Sequence, residues 1–244
     1  MRVELVPLTT IPEVRSGDDL TALIRRASAQ ENQVVDETTI VVVAQKIVSK
    51  AEGAIVDLRE LRPSHLAQTW AQEWQKDPRL LELILMQTRR IVRMDRGVLI
   101  AETLSGFVCA NAGVDQSNVE GPDFATTLPK DPDASARLLR SSLGCGAVVI
   151  TDTFGRPWRE GLVDIAIGVS GLEPLEDLRG KTDRGGRELT GTVMAVADQL
   201  AAAAGLLMLK QAGWPVVLIR GYSWHRGEGS AQTLLRDPSR DMFR

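Results

Sequence analysis

The sequence predicts an α+β fold, and two observations carry that expectation. β-Branched runs of strand length mix with helical stripes at three- and four-residue spacing, without the regular strand–helix–strand alternation of a parallel α/β protein. No internal repeat, low-complexity linker or long charge run divides the chain, so residues 1–244 are read as a single domain.

Residues 1–7 alternate loosely and predict a first strand. Asp18 is placed to cap a helix whose apolar face is Leu20, Leu23, Ile24 and Ala27. The run Thr-Ile-Val-Val-Val-Ala at 39–44 predicts a buried strand. Helices follow at 64–74 and 78–87, the second with Asp77 as cap and Pro78 in its first position. Short strands at 98–101 and 107–110 suit a hairpin, and 133–140 reads as a short helix. Strands at 147–150 and 163–169 flank the polar segment 151–159, in which Trp158 reads as core. Val193, Val196, Ala197, Leu200, Ala204, Leu207 and Met208 paint one helical stripe, rich enough in alanine for close packing. Residues 215–219 form a last buried strand before a loop over 221–230.

Composition narrows the chemistry. The chain is 43% hydrophobic and 25% charged, as ordinary globular domains are. Its 29 Lys and Arg against 32 Asp and Glu leave a net charge of −3, which excludes a globally basic surface for nucleic acid. No apolar run reaches the roughly 18 to 20 residues of a membrane span. Cys109 and Cys145 have no C-x-x-C spacing and no signal-peptide pattern opens the chain, so a reduced, cytoplasmic, membrane-free setting is expected. His65 and His225 are too few for a multi-histidine zinc centre, and no G-x-S-x-G elbow serves a serine triad. Any metal is expected to be a hard cation held by oxygen.

Three strand ends run into polar, glycine-bearing turns. After the 39–44 strand come Gln45, Lys46 and Lys50; a helix there puts both lysines on one face, suited to phosphate or equally to a solvated basic face. Behind the second lie Asp115 and Asn118, which suit a cation and a nucleotide, or an Asx-turn and a helix cap. The third brings Asp152 and Thr153; Asp115 with Asp152 would suit magnesium or manganese, which use one or two carboxylates plus substrate phosphates. Arg156 and Arg159 suit a bidentate anion clamp. Arg89, Arg90, Arg93 and Arg96 read as a solvated helix end or as anion contacts. No P-loop or dinucleotide fingerprint is present.

Three longer words occur in order: Val-Ser-Lys-Ala-Glu-Gly at 48–53, Val-Cys-Ala-Asn-Ala-Gly-Val-Asp-Gln-Ser-Asn at 108–118, and Ile-Thr-Asp-Thr-Phe-Gly-Arg-Pro-Trp-Arg at 150–159. With Leu128-Pro129, Asp131-Pro132-Asp133, the run at 166–169, Val196-Ala197-Asp198 and the run at 227–230, they resemble the coenzyme F420:L-glutamate ligase family over nearly the whole chain. The resemblance implies an α+β fold with two subdomains in an intertwined homodimer, and the stand-alone form of the ligase. It implies GTP-dependent attachment of L-glutamate to coenzyme F420-0, further γ-linked glutamate on F420-1, and Mg²⁺ or Mn²⁺ with K⁺ as an optional further cation. It places Ile11, Pro12, Glu13, Val14, Gln45, Lys46, Lys50 and Asn118 against GTP. Met208, Leu209, Lys210, Gln211, Ala212, Gly213 and Trp214 form the last nucleotide-contacting stretch. Asp115 and Asp152 become ligands of a first metal and Thr153 of a second.

The chain departs from the family at Lys210, where relatives carry an acidic or amide residue toward the second metal, and at Ser105, where many have histidine. An ammonium cannot ligate a cation, and there it would stand in for the cation's charge. The expected chemistry activates a carboxylate as an acyl phosphate, with Asp115, Asp152 and Lys50 at its centre. The rivals are a related carboxylate–amine ligase with another acceptor, a non-catalytic deazaflavin- or nucleotide-binding homologue, and a metal-dependent phosphohydrolase.

Overall fold

The structure is a computed structural model that describes residues 2–208, 211 and 213–242. Its first half runs β1 (Glu4–Leu8), α1 (Leu20–Gln30), β2 (Ile40–Ala44), α2 (Gln45–Ala51), β3 (Ile55–Asp57), α3 (His65–Trp74), α4 (Pro78–Met86), β4 (Thr88–Asp95), β5 (Val98–Thr103) and β6 (Val108–Ala110). The second half runs β7 (Phe124–Thr126), α5 (Pro132–Leu143), β8 (Ala147–Arg156), β9 (Arg159–Ser170), β10 (Leu175–Asp177), β11 (Val193–Ala195), α6 (Val196–Gly205) and β12 (Val216–Arg220). The class is α+β, as the sequence predicts.

The principal sheet has the order β1-β12-β2-β8-β9. Only β2 and β8 run parallel; β1–β12, β12–β2 and β8–β9 are antiparallel. Ile40, Val41, Val42 and Val43 of β2 are wholly buried, which suits a central strand covered on both faces. β2 therefore reads as a continuous apolar run rather than an alternating one. A second, smaller apolar cluster gathers Leu58, Leu81, Ile84, Leu99 and Ala125, where α3 and α4 meet the sheet β4-β5-β6.

Register decides where the functional segments meet. Ala44 faces Thr151 across the parallel ladder, so the carboxyl ends of β2 and β8 lie side by side. Leu8 faces Val216, and Ala44 N–H donates to Pro215 O at 2.8 Å. The exit of β1, the exits of β2 and β8, and the entry to β12 thus converge at one end of the sheet. Crevices at the carboxyl ends of parallel strands are the usual ligand sites of open sheets.

Several expectations need correction. Asp19, not Asp18, caps α1 by accepting from Ala22 N–H at 3.0 Å; Asp18 instead accepts from Arg15 N–H at 2.7 Å and shapes the preceding loop. The segment 151–159 is no loop, because β8 and β9 continue through it as one long hairpin. Its tip exposes Trp158, with only 23% of that residue covered (77% exposed), so it is not core. Val193 belongs to a two-stranded ribbon with β10 rather than to the helix, and Met208 lies beyond the end of α6. The arginines at 89, 90 and 93 sit on β4, not on a helix end; that strand shows little apolar alternation, and Arg89 and Arg90 pair with Glu102 of β5. Gln211 is exposed, and Leu209, Lys210 and Ala212 lie outside the described residues. Among the described residues no helix is long and apolar enough to cross a membrane.

The large hairpin is fastened to α5 by Asp133. This buried carboxylate accepts from Val169 N–H at 2.8 Å, from Ala231 N–H at 3.1 Å and from Ser230 Oγ at 2.5 Å. Gly168 permits the approach, since a Cβ there would lie 2.5 Å from Pro132 C and O. Asp133→Ala strands three donors in a largely buried place. It should lower the urea midpoint with the m-value unchanged, a loss of about 3 kcal/mol; an unchanged midpoint would remove this fastening role.

Candidate active site

The convergent sheet end opens into a cleft with a volume of about 290 Å³. β1 leads into the loop bearing Ile11, Pro12, Glu13 and Val14; β2 leads directly into Gln45, Lys46 and Lys50 of α2; β8 supplies Asp152 and Thr153; the approach to β12 supplies Gly213 and Trp214. Asp115, Asn118 and Met208 complete the wall. Among the described residues that the resemblance places at the nucleotide and metals, Gln211 alone stands apart from it; the candidate anion-binding arginines Arg89, Arg90, Arg93, Arg96, Arg156 and Arg159 are also absent from its wall.

Asp115 is held by tight local geometry. After β6 the chain passes through Asn111, Ala112 and Gly113, all with positive φ, in a 3-10 turn. A Cβ on Gly113 would strike Leu128, so both conformation and space require glycine there. Asp115 then bridges Thr126 through two backbone hydrogen bonds of 3.0 and 2.8 Å. Its carboxylate accepts from Ser117 N–H and Ser117 Oγ, each at 2.7 Å, so the Asx-turn is real. The same carboxylate accepts from Lys46 Nζ at 2.6 Å, so the turn also builds the cleft. Asn118 has a left-handed φ of 57° on the cleft wall and caps no helix.

The two lysines are held in different ways. Lys46 Nζ also donates to the Ser117 carbonyl at 3.0 Å. Lys50 is 94% covered (6% exposed), and its ammonium reaches Glu13 on the loop after β1. Gln45 is buried, donates to Asp152 Oδ1 at 3.4 Å and accepts from Ser49 Oγ at 2.8 Å.

The two carboxylates are driven apart in acidity. Burial pushes Asp152 up to about 6, and the Asp115 charge adds to it against the hydrogen bonds from Thr153 N–H and Gln45. Burial also disfavours ionised Asp115, but the Lys46 ammonium and the Ser117 donors outweigh it and hold Asp115 below the usual carboxylate range. Such splitting is frequent at functional sites. Burial, with Asp152 nearby, pushes Cys109 up to about 12, so its thiol stays protonated and is no nucleophile.

Among the described residues no three His, Cys, Asp or Glu side chains form a closed metal centre. An open oxygen site is a different matter. Asp152 carries a charge that its surroundings disfavour, and Asp115 and Thr153 stand on the same wall. That set fits a hard cation that completes its shell with water and phosphate oxygens.

Outside the cleft, Arg156 hydrogen-bonds its own hairpin at Gly161 O, and the arginines of β4 are absent from the wall. His65 and His225 are exposed, and neither lines the cleft. Sequence reading passed over Asp164 of β9, which also lines the cleft. Its signal was a lone carboxylate inside the apolar run Leu-Val-Asp-Ile-Ala-Ile at 162–167.

Comparison with known proteins supports the family that the sequence words resemble. The family model described as F420-0:Gamma-glutamyl ligase matches residues 9–221, a span that contains every segment of the cleft. The chain belongs to that family. It is 45% identical over 252 positions to the coenzyme F420:L-glutamate ligase of Methanothermobacter thermautotrophicus, with 100% of both chains covered. It is 46% identical over 254 positions to that of Methanopyrus kandleri, covering 100% of this chain and 98% of the relative. To that of Methanocaldococcus jannaschii it is 41% identical over 216 positions, with 86% of each chain covered.

The acidity of Asp152 makes a thermodynamic prediction for the metal-free protein. Its folded-state value of about 6 lies above the ordinary 3.8, so its contribution to stability is complete below pH 4 and is lost as pH rises through 6. Asp152→Asn should therefore melt higher than wild type at pH 7.5 and match it near pH 4. Equal melting differences at the two pH values would contradict the buried-charge assignment.

Proposed function

We propose that this chain is a ligase that joins L-glutamate to the lactyl carboxylate of coenzyme F420-0 at the expense of GTP, releasing GDP and phosphate, and adds further γ-linked glutamate to F420-1. The observation that carries the reading is the meeting of Lys46, Lys50, Asp115 and Asp152 at one sheet end, in a chain whose relatives are named coenzyme F420:L-glutamate ligases. In this reading the enzyme works as a cytoplasmic homodimer, with K⁺ as an auxiliary ion.

A carboxylate accepts no amine at neutral pH until one oxygen becomes a leaving group. The γ-phosphoryl group passes to the F420-0 carboxylate oxygen as the bond to the β-phosphate oxygen breaks. The glutamate amine then attacks the carbonyl carbon, phosphate departs and the amine loses its proton. Asp115, Asp152 and Thr153 would hold Mg²⁺ or Mn²⁺, and the bound ion would supply charge neutralisation at the phosphate oxygens.

The protein's own residues position and neutralise. Lys46 and Lys50 release Asp115 and Glu13 and turn their ammonium groups to phosphate, exchanging one ion pair for another. Gln45 holds Asp152 in place. Ile11, Pro12, Val14, Ile47, Met208 and Trp214 offer apolar wall to the nucleoside, with Asn118 as a polar contact.

Incubation with F420-0, L-glutamate, GTP and Mn²⁺, read by mass spectrometry, should yield product heavier by one or more glutamyl units. Omitting GTP or metal should abolish it. Asp152→Asn should lower kcat by about 100-fold or more, and Lys50→Met should raise KM for GTP by about tenfold. GTP hydrolysis without glutamylated product would instead assign a phosphohydrolase.

A further inference from the structure

Asp164 faces Thr153 directly across the β8–β9 ladder, and both line the cleft. Thr153 Oγ1 donates to Asp164 Oδ1 at 2.6 Å. A hydroxyl has one proton and two acceptor lone pairs. With that proton engaged by Asp164, Thr153 offers the cleft an acceptor oxygen only. Such an oxygen attracts a cation and repels a phosphate oxygen.

A second observation concerns Gly205, in the last turn of α6. A Cβ at this position would overlap Asp164 Oδ2. Gly205 is not among the glycines with positive φ, so its backbone does not demand glycine. Helix propensity alone favours alanine there by about 1 kcal/mol. The room left by the missing methyl group is the room the Asp164 carboxylate occupies.

We propose that Asp164 is a positioning residue: it fixes the Thr153 hydroxyl with its lone pairs toward the cleft, so that Thr153 ligates a divalent cation, and Gly205 provides the space. The inference rests on the nucleotide-and-cation reading of this cleft. Asp164 acts through Thr153 and touches neither cation nor substrate. The same constraint makes Thr153→Ser the milder change, because serine keeps the hydroxyl, and Thr153→Val the decisive one.

The test is Mn²⁺ binding to the full chain, followed by the electron paramagnetic resonance of free Mn²⁺ with and without GTP. Asp164→Ala should weaken Mn²⁺ binding by about 10- to 100-fold. Asp164→Asn, which keeps an acceptor for the Thr153 proton, should stay within about threefold of wild type. Thr153→Val should match Asp164→Ala, and the double variant should fall no further. Gly205→Ala, with an unchanged circular-dichroism spectrum, should reproduce the loss in part.

The proposal is overturned if Asp164→Ala binds Mn²⁺ as wild type does, or if Asp164→Asn falls as far as Asp164→Ala, which would make Asp164 a direct ligand. Additive losses in the double variant overturn it too, as does a wild-type chain that binds no Mn²⁺ under either condition. Glutamate ligation is scored separately by product mass. A chain that shows this Mn²⁺ pattern without forming product keeps the positioning role and loses the ligase reading.

Discussion

The parallel pairing of β2 with β8 sets the terms for the rest of the molecule. Because Ala44 lies opposite Thr151, the next residues along each strand, Gln45 and Lys46 on one side and Asp152 and Thr153 on the other, must emerge together. The antiparallel partners then deliver the loop after β1 and the approach to β12 to the same end. The buried β-branched residues of β2 hold that register, since a slip of one residue would carry the lysines away from the carboxylates.

At this junction the protein gathers charges that it only partly balances. Lys46 meets Asp115, while Lys50 leaves an almost wholly buried stem to reach an exposed Glu13. Asp152 has Gln45 and the Thr153 N–H as donors, yet burial outweighs them and disfavours its charge. Ion pairs of this kind exchange readily, because a phosphate or a cation replaces one partner without leaving the other uncompensated. In the proposed reading the cleft receives an anionic nucleotide together with a divalent cation, and both kinds of charge are at hand to meet them. The poorly solvated negative charge of ionised Asp152 destabilises the empty protein and, in the proposed reading, is offset when a cation binds, a usual trade between stability and activity.

Much of this was legible from sequence, for reasons that differ by element. The β2 run and the capped helices α3 and α4 announce themselves through local chemistry: β-branched residues, Ser64, and Asp77 followed by Pro78. The convergence of Asp115 with Asp152 is a long-range fact, and it was reached through motif resemblance and a shared strand-end layout rather than through spacing. β4 escaped because its burial comes from neither face; ladder bonds and the pairing of Arg89 and Arg90 with Glu102 hold it. Trp158 misled because hydrophobic identity says nothing about a hairpin tip that reaches into solvent. Asp164 was overlooked because its meaning depends on Thr153 across the ladder and on the missing side chain of Gly205, neither of which is a sequence neighbour.

The claim at the centre of this account is that Asp152 is a charge held in readiness for a cation. A ¹³C-carboxyl NMR titration of the wild-type protein, with Asp152 assigned by comparison with Asp152→Asn, measures it directly. Asp152 should titrate near 6 in the free protein and fall below the ordinary 3.8 once Mg²⁺ and GTP are bound. A free-protein value near 3.8, or one that Mg²⁺ and GTP leave unmoved, would contradict it.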